Sequence, residues 1–557
     1  MAGPSGKEKS SVKIVVTGIR QERIRILLEL SVTFDGSNES VRKADALQFY
    51  IADMAKRRCK GDFESVKVEG NRVYLTYLVT NCGDNSCLSA GQYEIAVLDE
   101  KDEYLCSVSS PREGISRQSF TYPFQKKKWY RAAFEAGADE ALKLIITRYD
   151  GKKSVRRCIS DVKKAVFQCI CNILRLKYAA KRKQTILFLD KYGDNPGDNI
   201  EAVKRRMKER SLDKKWRMLS ISEVPAGGKR SIKSDLKVID HLAKSGVVVT
   251  DEHIAILDWL DAGKDQRLIQ VWHAGVGFKA TGYSRWGHSG GVSPESSHRK
   301  ITYATVTSEK VRGIFSELWG IADEQVIPCG MPRMDEFLNS EKNESIKERL
   351  MDKYPACRDK RVILFAPTYR GRGKKDASYP FDKIDFEGLK DTAKAGGWTV
   401  LVKMHPWVRE KDFVPVSCKD VIMEADERLE ELFCITDLLI TDYSSALFEF
   451  SLLKKPMLFY AFDEESYAQS RGFHRSYREN APGKVVTEFE QLLSAIRDED
   501  FESEKLDEYV NRHFDNVDTH SSDRVIDYLI EDQLPEKYGK ALSEHRKRVK
   551  HRKEIRL

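Results

Sequence analysis

Two histidines stand where an apolar run passes into a turn. The first lies in Val271-Trp272-His273-Ala274-Gly275-Val276-Gly277-Phe278-Lys279. An imidazole at a strand end can take a proton from a hydroxyl near neutral pH. Gly275 and Gly277 let backbone N–H groups approach an anion closely. Lys279 either steers phosphate or sits on the surface, and a histidine that only closes a strand would show the same spacing. The second lies in Leu401-Val402-Lys403-Met404-His405-Pro406. Strand alternation puts Lys403 and His405 on one face, and two such groups directed at one point suit a transferring phosphoryl group. A structural histidine before proline is the plainer alternative.

Two more segments carry phosphate-binding chemistry. Phe365-Ala366-Pro367-Thr368-Tyr369-Arg370 ends a strand and then offers an arginine. Guanidinium grips phosphate oxygens bidentately, which makes Arg370 the first candidate for a diphosphate clamp. A solvated loop arginine is the alternative, and Arg372 reads as loop. In Ile440-Thr441-Asp442-Tyr443-Ser444-Ser445-Ala446-Leu447-Phe448-Glu449 a strand gives way to a helix. Hydroxyls and unpaired N–H groups at a helix start make an anion site. An N-cap accounts for one serine; the second serine and Glu449 exceed what a cap needs. Glu449 either receives ribose hydroxyls or is an ordinary helix carboxylate.

These segments need a frame of short buried strands. From Thr185 such runs alternate with helical stretches: Thr185–Asp190, Trp216–Ile221, Val247–Thr250 and Arg267–Trp272. The alternation restarts after 339–359 with Arg361–Ala366, Trp398–Lys403, Leu438–Thr441 and Pro456–Tyr460. This predicts an α/β fold with two doubly wound parallel-sheet domains in series, a GT-B-like pair with a cleft between them. Residues 184–338 are expected to form the first of these domains and 339–535 the second. Before them, 1–150 read as β-rich, with short strands separated by Gly, Asn and Asp turns. That spacing predicts an antiparallel sandwich of immunoglobulin-like type, an accessory module with no catalytic constellation. Between them, 151–183 hold a basic amphipathic helix, either packed on the next domain or laid on a membrane surface. The basic end, 536–557, reads as a solvated helix or frayed tail, or as an electrostatic tether to anionic lipid.

Composition sets the outer bounds. The chain has 557 residues, a net charge of +9 and 41% hydrophobic content. That is enough for roughly three globular domains. The charge suits anionic partners but is too weak to argue for nucleic acid. No apolar run is long enough for a transmembrane helix, and the N-terminus lacks a signal peptide's apolar stretch, so the chain is expected on the cytoplasmic side. Eleven scattered cysteines show no zinc spacing and read as buried reduced thiols.

Taken together, the four segments resemble the CDP-glycerol glycerophosphotransferase family of teichoic acid and capsule primases and polymerases. The family pattern is W-H-G-T-P-x-K, A-P-T-x-R, K-x-H-P and T-D-Y-S-S-x-x-F-[DE]. Here the segments are Trp272–Lys279, Ala366–Arg370, Lys403–Pro406 and Thr441–Glu449, with Gly330–Asp335 and Arg471–Phe473 also similar. The first segment is one residue longer before its lysine. The resemblance spans about residues 185–500. It implies transfer of glycerol phosphate or ribitol phosphate from a CDP-polyol to a lipid-linked or polymeric acceptor. The reaction would occur at the inner membrane face with little or no need for metal and no resident cofactor. His273 would be the general base and His405 would stabilise the diphosphate. Arg370, Lys403, Ser444 and Ser445 would hold phosphates, Asp442 and Glu449 the nucleotide, and Gly275 and Lys279 the acceptor side, which makes 184–338 the acceptor-side domain and 339–535 the CDP-donor domain. An anionic membrane surface is the expected partner, and an oligomer is compatible. Two rivals are a GT-B glycosyltransferase that uses a sugar nucleotide and a non-catalytic surface scaffold.

Overall fold

Alternating apolar and polar residues build the first domain. Along β2 (Arg25–Phe34), paired with β1 (Val12–Glu22), the side chains of Ile26, Leu28, Leu30 and Val32 are buried and their neighbours are not. The computed structural model describes residues 12–34, 44–110, 117–152, 154–194, 197–261, 263, 265–272, 274–275, 278–288, 290–371, 375–408, 421–424 and 426–557. Further strands are β3 (Gln48–Asp53), β4 (Arg58–Asp62), β5 (Ser65–Glu69), β6 (Arg72–Leu78), β7 (Gly91–Leu98), β8 (Tyr104–Ser107), β9 (Gln118–Gln125), β10 (Lys128–Ala136) and β11 (Leu142–Tyr149). One antiparallel sheet has the order β1-β2-β6-β5; the other runs β4-β3-β7-β11-β10-β9, with β8 also beside β7. Both contribute to one core, which Tyr283 and Trp286 of the following domain complete.

The amphipathic stretch forms the helix Val155–Lys177, with Ser154 capping it by accepting from the Arg157 N–H. Phe167 and Cys171 are buried. Lys163 pairs with Asp235 at 3.1 Å and the Tyr178 hydroxyl donates to Asp240 at 3.1 Å, so the helix rests on the helix Ile232–Lys244. Its other side leaves Val155, Ile159, Val162, Val166, Ile173 and Leu176 exposed. Cys158 and Cys169 are exposed there too, unlike the buried Cys59, Cys82, Cys329 and Cys357. The expectation of buried thiols therefore holds for Cys171 on this helix and fails for Cys158 and Cys169.

Continuous apolar runs then form two parallel sheets. The first lobe holds β12 (Thr185–Tyr192), β13 (Arg217–Val224), β14 (Val247–Thr250), β15 (Arg267–Gln270), β16 (Tyr303–Thr305) and β17 (Val326–Ile327), in the order β13-β12-β14-β15-β16-β17. The second holds β18 (Arg361–Phe365), β19 (Trp398–Lys403), β20 (Val421–Glu424), β21 (Leu438–Thr441), β22 (Met457–Tyr460) and β23 (Lys484–Val486), in the order β20-β19-β18-β21-β22-β23. The strand order of the second lobe reverses between β18 and β21, where Phe365 lies opposite Ile440. A ligand crevice belongs outside the carboxyl ends at such a point.

The chain returns to the first lobe before residue 535. The Asp515 N–H donates to the Thr307 carbonyl at 2.9 Å. Val525, Ile526, Leu529 and Ile530 then share a core with Ile186 and Phe188. The helix Glu536–Glu554 goes on to the β domain, where Arg552, 2% exposed, donates to Asp62 at 2.7 Å and to the Cys82 carbonyl at 2.6 Å. Ile555 and Leu557 pack on Ala52, Cys59 and Ala96. The end expected to be a solvated helix, a frayed tail or a lipid tether is thus a helix docked on the protein. Its anchors, Leu542, Ile555 and Leu557, are too sparse to show periodicity. Arg548 and His551 are also spent on the protein, on Glu324 at 2.7 Å and Asp102 at 2.8 Å. Among the described residues no helix is long and apolar enough to cross a membrane.

Candidate active site

At the switch point of the second lobe one carboxylate ties two loops together. Asp442, 1% exposed, accepts from the Thr368 N–H at 2.8 Å and the Tyr443 N–H at 2.6 Å through Oδ1. Its Oδ2 accepts from Arg370 Nη1 at 2.9 Å. The loops after β18 and β21 are thereby held in register. Arg370 also donates from Nε and Nη2 to Asp463, at 2.7 and 2.8 Å, and lies near the rings of Tyr443 and Tyr467. Burial disfavours its charge, but Asp442 and Asp463 outweigh that and push the guanidinium pKa up. The residue expected to clamp a diphosphate is here engaged by the protein's own carboxylates. Ser444 is half-buried and accepts from the Ala446 N–H at 3.2 Å; Ser445 is exposed at the start of the helix Ala446–Ser451.

His405 lies just beyond the end of β19. Tyr369 and Trp407 flank its ring, with centroids at 4.6 and 5.1 Å. The Trp407 N–H donates to Nδ1 at 3.1 Å, which leaves the ring proton on Nε2. Burial and then the Lys279 cation lower the pKa, so the ring is neutral at pH 7. Lys403 does not share these surroundings. It is buried beneath Asp426 and Glu427, and burial lowers its pKa against their pull. The shared face expected for Lys403 and His405 assumed a strand through 405, whereas β19 stops at Lys403.

Lys279 comes from the first lobe. The Ala280 N–H donates to the Gly472 carbonyl at 2.9 Å, the His474 N–H donates to the Phe278 carbonyl at 3.0 Å, and Lys279 bridges to Phe473. This two-stranded strap spans the lobes. Burial lowers the Lys279 pKa to about 8; Asp442 opposes the shift, and Arg471 and Arg370 add to it. Asp442, Arg370, Arg471 and His405 therefore all feel the Lys279 ammonium. Arg471 in turn donates to the Gly371 carbonyl at 2.5 Å.

His273 and Gly277 lie outside the described residues, as does Arg372. The residue before His273 is described. Trp272 has φ +42°, a strained left-handed conformation for a bulky residue. Asn199, fully buried, holds it: Nδ2 donates to the Trp272 carbonyl at 2.6 Å, and Oδ1 accepts from the Arg333 N–H at 2.9 Å. Arg333 then forms an ion pair with Glu449 across the lobes. Burial raises the Glu449 pKa, and Arg333 opposes it. Gly275 is explained by packing, since a Cβ there would stand 2.1 Å from the Phe448 ring. Glu449 and Arg333 line a cavity of about 290 Å³ with Arg205, Arg428 and Glu430. The Asp198–Arg428 pair, at 2.8 Å, joins its two sides.

Sequence reasoning gives Asn199, Arg333, Asp463 and Arg471 no roles. The segments Gly330–Asp335 and Arg471–Phe473 are the available signal for two of them. It also passes over Asp190 and Asp251 at the strand ends of the first lobe. Burial and then Asp190 push the Asp251 carboxyl pKa up to about 7.

Residues 172–531 match the family described as CDP-Glycerol:Poly(glycerophosphate) glycerophosphotransferase. The chain belongs to this family. It is 34% identical over 390 residues to the teichoic acid ribitol-phosphate polymerase TarL of Staphylococcus aureus (strain NCTC 8325 / PS 47), covering 69% of each chain. It is 35% identical over 384 residues to the teichoic acid poly(ribitol-phosphate) polymerase of Bacillus spizizenii (strain ATCC 23059 / NRRL B-14472 / W23), covering 68% of this chain and 61% of that one. Among solved structures, the wall teichoic acid polymerase TagF superposes with a TM-score of 0.51 at 22% identity, over 68% of this chain and 97% of that one. That likeness carries the fold. Most of the β domain precedes the matched region, which begins at residue 172.

Proposed function

We propose that this chain transfers glycerol phosphate or ribitol phosphate from a CDP-polyol to the hydroxyl end of a teichoic-acid-like or capsular polymer and releases CMP. The observation that carries this reading is the convergence of His405, Lys279 and the Asp442–Ser445 loop at one switch point. The two parallel sheets are read as a GT-B-like pair, supported by the strap at Lys279 and the return of the chain at Asp515. The first domain is read as an immunoglobulin-like sandwich, because its two antiparallel sheets, β1-β2-β6-β5 and the one built around β3 and β7, enclose a single core.

The acceptor hydroxyl attacks the distal phosphorus of the donor in line. A new O–P bond forms, the bond to the bridging oxygen breaks, and CMP leaves. His273 takes the hydroxyl proton. The His405 Nε2–H and the Lys279 ammonium face the phosphoryl oxygens, where positioning and charge neutralisation supply most of the rate. Ser444 and Ser445 bind phosphate, and Arg370 keeps Asp442 and their loop in place. The cavity at Glu449 takes the nucleoside, whose ribose hydroxyls hydrogen-bond the Glu449 carboxylate. Ser444→Ala combined with Ser445→Ala is expected to weaken CMP binding about tenfold, about 1.4 kcal/mol. Unchanged affinity by calorimetry would remove the serines from the site. Release of CMP from CDP-glycerol or CDP-ribitol supports the reading; release of UDP from a UDP-sugar instead would make the chain a glycosyltransferase.

The acceptor's lipid is read as lying under the helix Val155–Lys177. Its Val155, Ile159, Val162, Val166, Ile173 and Leu176 are exposed, and so are Ile232 and Leu236 of the helix it packs on and Lys177, Lys233 and Lys237 of the same two helices. An apolar face edged by lysines suits an anionic surface. The protein is expected to sediment with phosphatidylglycerol vesicles but not with phosphatidylcholine, and Ile159→Glu with Ile173→Glu should abolish this. Equal sedimentation of the variant would exclude the helix as the contact.

A further inference from the structure

We propose that the N-terminal β domain is a wall of the active site, with Trp286 and Arg23 as positioning residues for the Lys279–Arg471 side of the cleft. This rests on the reading of Lys279 as part of the site. The β domain grips that side at two points.

The first grip is hydrophobic. Shortly after Lys279 the chain enters the core of the β domain. Tyr283 is fully buried and Trp286 is 2% exposed. The Trp286 ring stacks on Phe124 at 5.3 Å and meets Tyr130 at 5.4 Å, both residues of the β domain. The Gly287 N–H donates to the Pro123 carbonyl at 2.9 Å, and Arg299 Nη2 donates to the Thr80 carbonyl at 2.5 Å. Buried aromatic rings of this size dominate the energetics of such contacts. The strap carrying Lys279 is therefore tethered at one end to the β domain and at the other to Gly472 and His474.

The second grip is polar and reaches the opposite strand of the strap. Arg23 stands at the tip of the β1–β2 turn with φ +51°. Its Nη1 donates to the His474 carbonyl at 2.7 Å, and its Nη2 meets Glu317 at 2.6 Å. Arg25 holds the other oxygen of Glu317, also at 2.6 Å. One arginine thus links the β domain, the first lobe and the loop that follows Arg471. Between the grips, His288 packs on Gly472, where a Cβ would lie 2.9 Å from its ring. Gly472 has φ +73°, which only glycine adopts without strain. The loop leaves no slack, so a shift of the β domain moves Lys279 relative to Asp442, Arg370, Arg471 and His405. A misplacement of about 1 Å can cost about 10²-fold in rate.

The test uses the full chain with Arg23→Met, Trp286→Ala and Trp286→Phe. For each, kcat and KM for CMP release are measured against pH, with thermal unfolding alongside. Arg23→Met is expected to lower kcat about tenfold or more, with the donor KM and Tm near wild type. Its alkaline limb should move to higher pH as Lys279 meets water. Trp286→Ala should do the same or unfold, and Trp286→Phe should restore most of the rate. An active wild type with an Arg23→Met variant of equal kcat and unchanged pH profile overturns the inference and leaves the function standing. A wild type that releases no CMP from any CDP-polyol sinks the function instead. In that case the reactivity of Lys279 toward acetic anhydride, read by mass spectrometry at graded pH, still decides. A titration equal in wild type and Arg23→Met overturns the inference; an upward shift in the variant supports it.

Discussion

Replacing His405 with alanine is expected to lower the rate of CMP release about 10²–10³-fold, while CDP-polyol affinity stays within a few-fold of wild type. The ring is held by Tyr369 and Trp407, and the Trp407 N–H occupies Nδ1, so Nε2 can only donate. A donor of this kind stabilises charge that develops on a phosphoryl oxygen and adds little to ground-state binding. Burial and Lys279 lower the pKa from its usual 6.5, which sets the pH behaviour. Protonation of Nδ1 would break the bond from Trp407, so the acid limb of kcat should fall below the ordinary histidine range. His273→Ala is expected to cost about 10²–10⁴-fold through loss of the base, again with donor binding retained. Turnover near wild type in either variant, read by coupled CMP release, would remove that histidine from the chemistry.

Replacing Lys279 with methionine is the second large effect. One cation directed at a transferring phosphoryl group is worth about 10²–10³-fold in kcat. With a pKa of about 8, Lys279 carries its charge at neutral pH and loses it within the working range. Wild type should therefore show an alkaline limb near pH 8 in kcat/KM, and Lys279→Met should lack it. Stability should change with the opposite sense. The folded pKa lies below the 10.5 of the free side chain, so between about 8 and 10.5 the unfolded chain binds more protons. Folding stability from this group accordingly rises with pH across that window. Lys279→Met should be more stable than wild type at pH 7 and close to it above pH 10. Denaturant titrations at the two pH values give the comparison; a variant less stable than wild type at pH 7 would refute the buried-cation account.

The strand ends that carry these groups were legible because parallel strands are buried on both faces and read as unbroken apolar runs. Leu438–Thr441 and Trp398–Lys403 are found where that pattern puts them. The strands β16, β17 and β23, three residues or fewer, lie beneath any periodicity. In the β domain, β9 to β11 escape the pattern, since Lys126, Lys127 and Lys128 interrupt it between β9 and β10. Partners could not be read at all. Arg370 meets Asp463 from 93 positions away, a pair that exists only once the second lobe has folded, and Arg333 meets Glu449 from 116, a pair that exists only once the lobes have docked. Arg370 shows the consequence. Its residue type suggests a phosphate clamp, and its partners make it the brace of the Asp442 loop.

The most direct test of polyol-phosphate transfer follows both products of one reaction. Purified chain, CDP-glycerol or CDP-ribitol and a short polyol-phosphate acceptor are incubated, and acceptor mass and CMP are measured together. The account predicts that the acceptor grows by whole polyol-phosphate units, one CMP appearing per unit, and that neither happens with His405→Ala. CMP released without growth of the acceptor, or growth by a sugar unit from a UDP-sugar, would contradict it.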